Sequence, residues 1–86
     1  MNANDDFELM FAEAYPSFTK NLVKTYSNLT YNELRLCMYL RMGYPSYKIL
    51  KILNISSSTL SNLRSAIRKK MGLTRNQNLT NIILCV

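Results

Sequence analysis

Residues 46–71 read SYKILKILNISSSTLSNLRSAIRKKM, and this stretch decides the fold. Leu60, Leu63, Ile67 and Met71 are spaced by three, four and four residues, which on a helix builds one apolar stripe. The spacing predicts a helix from about Ser57 to Met71 with that stripe turned to a core. Its opposite side is left to Ser58, Ser61, Asn62, Ser65, Arg68 and Lys69. A shorter helix is predicted before it, running from Pro45 near its first turn to about Leu53, with Ile49, Ile52 and Leu53 inward. Only Asn54-Ile55-Ser56 separates the two, and Ser56 or Ser57 is placed to cap the second. Two helices joined by so short a turn make a helix-turn-helix pattern. Small polar side chains permit close approach to a surface, and a basic end grips phosphates. Such a helix is suited to a DNA major groove.

Upstream, Leu29-Thr30-Tyr31-Asn32-Glu33 writes a helix start: Thr30 caps the first turn while Glu33 reaches back to the cap residue's own amide. Glu33 is read first as this cap; the alternative adds a role in orienting Arg64 or Lys70. The helix continues through Leu34, Leu36, Cys37, Leu40 and Met42, apolar on more than one face, so it is expected to be the most buried. Gly43 ends it. Before it, Phe18, Leu22 and Tyr26 mark a short helix, and Phe7, Met10, Phe11 and Ala14 mark another that Pro16 stops. Residues 1–6 are read as frayed. Downstream, Gly72 closes the long helix, 75–77 form a polar connection, and a final helix over about 78–85 offers Leu79, Ile82, Ile83 and Val86. That last helix either caps the core or joins two copies of the chain. The chain thus divides into an acidic helical extension, 1–28, packed on the core, and a helix-turn-helix unit, 29–86.

Composition narrows the class. A chain of 86 residues with 48% hydrophobic and 19% charged content has one modest core. Only two glycines and two prolines, with no regularly spaced strands, predict an all-α fold. The net charge of +6 is unevenly spread: Asp5, Asp6, Glu8, Glu13 and Glu33 are all the acids, while 34–86 hold nine basic residues. Such a balance attracts a polyanion, nucleic acid or an anionic membrane surface, unless it is only a solvated face. There is no histidine, and Cys37 and Cys85 are too far apart for zinc-ligand spacing. Both cysteines lie in apolar runs and are read as reduced, core-packed residues of a cytoplasmic protein. No stretch reads as a membrane span or leader. No paired carboxylates in the basic half, no nucleophile beside a base and no phosphate-cradling glycine loop argue for an enzyme or a cofactor.

Together, Leu29-Thr30, Glu33, Leu36, Gly43, Ile49, Leu53, Ile55-Ser56, Thr59-Leu60, Ile67 and Lys70-Met71-Gly72 resemble the LuxR/GerE (FixJ/NarL) family of helix-turn-helix effector domains. That family's pattern has an LTxxE start, a glycine, an isoleucine and a leucine, then IS before the recognition helix, TV early in it and KLG at its end. The flanks, FELMFAEAYPSFTKNLVKTYSNL at 7–29, NELRLC at 32–37 and IRKKMGL at 67–73, look like the carboxy-terminal domain of many Bacteroidetes regulators. The resemblance implies a four-helix bundle with added N-terminal helices. It also implies a DNA-binding output module that is commonly dimeric and follows a sensor or repeat region. Carried over, the base-facing positions are Ser61, Asn62 and Ser65; the phosphate-facing ones are Ser58, Thr59, Arg68 and Lys69, with Tyr47 and Lys48 from the preceding helix. Asn62 is the foremost candidate for direct readout, because an amide can both donate to and accept from an adenine edge.

Two departures shape the expectation. The family usually reads Lys-Glu-Ile-Ala where this chain has Tyr47-Lys48-Ile49-Leu50, and histidine is common where Leu63 stands. Serine and asparagine occupy positions where basic base-readers are expected, so affinity is expected to rest on Arg68, Lys69 and Lys70. Tyr39, Tyr44 and Tyr47 are read as packing residues, stacking on nucleic acid being the alternative. Two other functions compete with DNA recognition: a protein-interaction module that keeps the fold, and a peripheral membrane or RNA binder drawn by charge alone.

Overall fold

The computed structural model describes residues 3–74 and 76–86, among which six α-helices and no strand are found. They are α1 (Ala3–Ala14), α2 (Phe18–Thr25), α3 (Tyr31–Arg41), α4 (Ser46–Leu53), α5 (Ser57–Met71) and α6 (Leu79–Leu84).

The start of α3 is fixed by its own side chains. Glu33 N–H donates to Thr30 Oγ1 at 3.2 Å, and Thr30 N–H donates to Glu33 Oε1 at 2.8 Å, a complete capping box. From there the helix buries Leu36, Cys37, Tyr39 and Leu40, on more than one face, and packs against both α5 and α6. It leaves through Gly43, whose φ of +78° is a conformation that a side chain would strain. As expected, no helix contributes more buried residues.

α1 lies against α3 through aromatic rings. Phe7 stacks on Tyr39 with centroids 4.3 Å apart and planes 19° apart, and Phe11 meets Phe18 edge-on at 5.2 Å. The Glu8 carboxylate accepts from the Tyr31 hydroxyl and lies 3.9 Å from Arg35 Nε, while Arg35 Nη2 donates to Tyr39 Oη at 3.0 Å. Phe11, Phe18 and Leu22 join the same core as α3, α4, α5 and α6. The inward stripe of α1 is Phe7, Phe11 and, just past its end, Tyr15, one every four residues. Met10 and Ala14, expected on it, are exposed, because one aromatic row already fills the contact. The helix also begins at Ala3, inside the segment expected to fray; Met1 and Asn2 lie outside the described residues.

α4 ends on Asn54 in the left-handed region at φ 53°, which asparagine tolerates, and Ser56 then caps α5, its Oγ accepting from Thr59 N–H at 3.1 Å. Ile49 is fully buried and Leu50 and Leu53 are half-buried, whereas Ile52, expected inward, is 41% exposed. At about 100° per residue, Ile49, Leu50 and Leu53 share one arc and Ile52 falls outside it.

Leu60, Ile67 and Met71 are core, but Leu63 is only half-buried, at the edge of a hollow lined also by Asn32, Arg35, Leu53, Ile55 and Thr59. Gly72 closes α5 at φ +70°, its N–H reaching Arg68 and Lys69 carbonyls. Arg75, in the expected polar connection, lies outside the described residues. Asn78 caps α6 through Asn81 N–H at 3.1 Å, and Leu79 and Ile83 are buried. Cys37 is buried, and desolvation together with the charge of Glu33 pushes its thiol up to about 12. Cys85, expected to pack inside, is exposed, because α6 ends at Leu84 and leaves it at the C-cap.

Candidate functional site

The site grows from the two-sidedness of α5. With Leu60, Ile67 and Met71 held in the core, Ser58, Ser61, Asn62, Ser65, Arg68 and Lys69 fall within an arc of roughly 120° on the far side. Five of these six are exposed and Arg68 is half-buried. Its Nε is enclosed with no hydrogen-bond partner among the described residues. Ser65, Arg68 and Lys69 border an open depression of about 440 Å³ with Leu73 and Thr74, so the basic end of the face is concave.

Thr59 sits off this arc. Its Oγ1 is 3.0 Å from Ser56 Oγ and its amide donates to the same oxygen, so the residue is occupied by the cap of α5. On α4, Tyr47 is 67% exposed and Lys48 is exposed, with Nζ 4.8 Å from the Tyr44 ring centroid. Tyr39 is buried and Tyr44 half-buried beside it, centroids 5.4 Å apart; only Tyr47 of the three stands out from the surface.

Lys70 departs from the sequence reading. The run Arg68-Lys69-Lys70 does not act as one basic cluster: Lys70 Nζ donates to Glu33 Oε1 at 2.6 Å, with the Glu33 side chain 5% exposed. One carboxylate oxygen therefore serves both Thr30 and Lys70. Burial alone would raise the Glu33 carboxyl. The Lys70 hydrogen bond, the Thr30 amide, the Lys70 charge and the Thr30 hydroxyl outweigh it and hold the group below the ordinary glutamate value.

Two basic side chains outside the expected set lie on the same pair of helices, α4 and α5. Arg64 Nη2 lies 3.4 Å from Ser46 Oγ, linking α5 to the first turn of α4. Lys51 is exposed one turn after Tyr47 on α4, a spacing of four that was readable in the sequence. Among the described residues no group of histidine, cysteine, aspartate and glutamate could hold a metal ion, and no helix is long and apolar enough to cross a membrane.

Fold and surface thus define an all-helical chain presenting one helix face of small polar and basic side chains. No family model, curated protein or solved structure matches it.

Proposed function

We propose that this chain is a sequence-specific DNA-binding output domain of a bacterial transcriptional regulator, of the LuxR/GerE helix-turn-helix type. In this reading α3, α4, α5 and α6 form the family's four-helix bundle and α5 enters the major groove. The observation that carries it is the one-sided division of α5: an apolar stripe fastened to the core and, opposite, Ser61, Asn62 and Ser65 leading to Arg68 and Lys69. Small residues along the face let the backbone come close to base edges, Asn62 supplies the paired donor and acceptor, and the basic end supplies phosphate contacts. Ser58, Tyr47 and Lys48 flank it as further phosphate contacts. The half-exposed Leu84 on α6 suits the edge of a homodimer contact, and an upstream sensor or repeat region in a longer protein would supply the signal.

Titration of the chain against random and selected duplexes over a salt series tests the reading. Affinity is expected to fall steeply with salt. The Arg68→Ala, Lys69→Ala double variant is expected to weaken binding on every sequence and to lower the salt slope by about 2. Asn62→Ala is expected instead to lose preference at one base pair, worth roughly 1–3 kcal/mol. Absence of duplex binding at low salt by the folded chain, also when forced to dimerise, sinks the idea. The exposed Leu84 on α6 suits the second reading, a protein-interaction module that docks its partner on the final helix; it predicts indifference to Asn62 and Arg68 changes.

A further inference from the structure

We propose that Glu33 and Lys70 are positioning residues for the α5 face: their ion pair ties the last turn of α5 to the first turn of α3 and fixes the direction in which Arg68 and Lys69 meet a polyanion. The inference rests on the DNA-binding reading above and adds a part to it.

Glu33 is a fixed post. The residue is 4% exposed, it sits in the capping box of the most buried helix, and its Oε1 is held by the Thr30 amide at 2.8 Å. Lys70 reaches that post at 2.6 Å across 37 residues of sequence. The last turn of α5 is also held by apolar burial, through Ile67 and Met71 in the core and the half-buried Leu73 beyond it. Apolar burial selects which side of α5 turns inward, but being non-directional it sets the angle of the last turn less sharply than a hydrogen bond does. A hydrogen-bonded ion pair to a held acceptor is directional. On a helix Lys69 lies about 100° and Arg68 about 200° from Lys70, so fixing Lys70 against α3 sets the angles of Lys69, about a quarter-turn away, and of Arg68, on the opposite side.

Glu33→Gln keeps an acceptor for the Thr30 amide, since glutamine also closes a capping box, while it removes the negative charge that pairs with Lys70 and leaves a neutral acceptor in its place. The variant gains one unit of positive charge and leaves the ammonium without its counter-ion. If charge alone mattered it would bind duplex DNA more tightly, with an equal or steeper salt slope. Positioning requires the reverse: weaker binding, with the slope reduced by about 1 as Arg68 and Lys69 lose alignment.

The experiment measures duplex affinity against salt for the wild type, Glu33→Gln, Lys70→Gln and Lys70→Arg. It is run at a temperature where circular dichroism shows each fully folded. The expected result is weakened binding by Glu33→Gln and Lys70→Gln and wild-type binding by Lys70→Arg, which restores the pair. A folded Glu33→Gln that binds as tightly as the wild type, or tighter, overturns the proposal. Should Glu33→Gln fail to fold, the two Lys70 variants decide: equal salt slopes in both overturn it. A wild-type chain that does not bind duplex at all overturns the DNA reading and this inference with it, an outcome visible before any variant is made.

Discussion

Glu33 shows how one side chain joins a local signal to a distant one. Its carboxylate is bound by Thr30 and Lys70 only in the folded chain, so its folded value lies below the ordinary glutamate value that the unfolded chain has. A depressed carboxylate contributes stability that is fully present above the unfolded value and is lost as pH falls through the folded one. The urea midpoint is therefore expected to drop as pH falls through and below the ordinary glutamate range, and Glu33→Gln should flatten that part of the profile. An unchanged profile would mean that other carboxylates govern acid unfolding. The Thr30 half of this arrangement was legible, because a capping box is a spacing of three within one turn. The Lys70 half stood only as an alternative beside Arg64: nothing local says which basic residue of α5 crosses the core boundary. Cys37 and Cys85 make the same point, both in apolar runs, with burial decided by where α6 stops.

At the scale of elements, α5 grades its own residues. Ile67 is fully buried and Leu63 is not, so Ile67→Ala is expected to cost about 2–5 kcal/mol and Leu63→Ala distinctly less, measured by urea unfolding. Gly72→Ala meets no atom within 4 Å, so its expected cost, roughly 1–2 kcal/mol, comes from the left-handed backbone alone. Helix starts and stops were readable where caps mark them, at Thr30, Gly43, Ser56 and Gly72, because caps act on the nearest amides and carbonyls; the start of α1 at Ala3 was not. Which apolar residues a short helix buries was less so. In α1 and α4 several registers satisfy helical spacing, and the choice falls to neighbours: Phe7 found Tyr39, which left Met10 outside, and Ile49 took the core, which left Ile52 outside. For the candidate face, Ser58, Ser61, Asn62, Ser65, Arg68 and Lys69 share one side as their spacing required. Thr59 and Lys70 lie off that side by the same spacing; what the spacing does not encode is their partners, the Ser56 hydroxyl and the Glu33 carboxylate.

For the whole molecule, charge and packing divide along the chain. Four of the five acids precede residue 14 and the fifth, Glu33, is internally paired, so the surface after α3 is basic without acidic relief. The N-terminal helix is joined to this basic part by rings: Phe7 lies on Tyr39, Tyr39 is near Tyr44, and the Tyr44 ring carries the ammonium of Lys48. That stack also makes the molecule optically informative. The chain has no tryptophan and six tyrosines, and Tyr39 is held buried at fixed angles to other rings, which is what gives a tyrosine a near-ultraviolet circular dichroism signal. Phe7→Ala should lower that signal while far-ultraviolet helicity stays close to wild type, so the docking of α1 would be read without a label, a probe or a ligand. An unaltered near-ultraviolet spectrum in the folded variant would show that Tyr39 holds its place without Phe7. The seat of the first helix would then rest on Phe11, buried in the core, and not on the stacked pair.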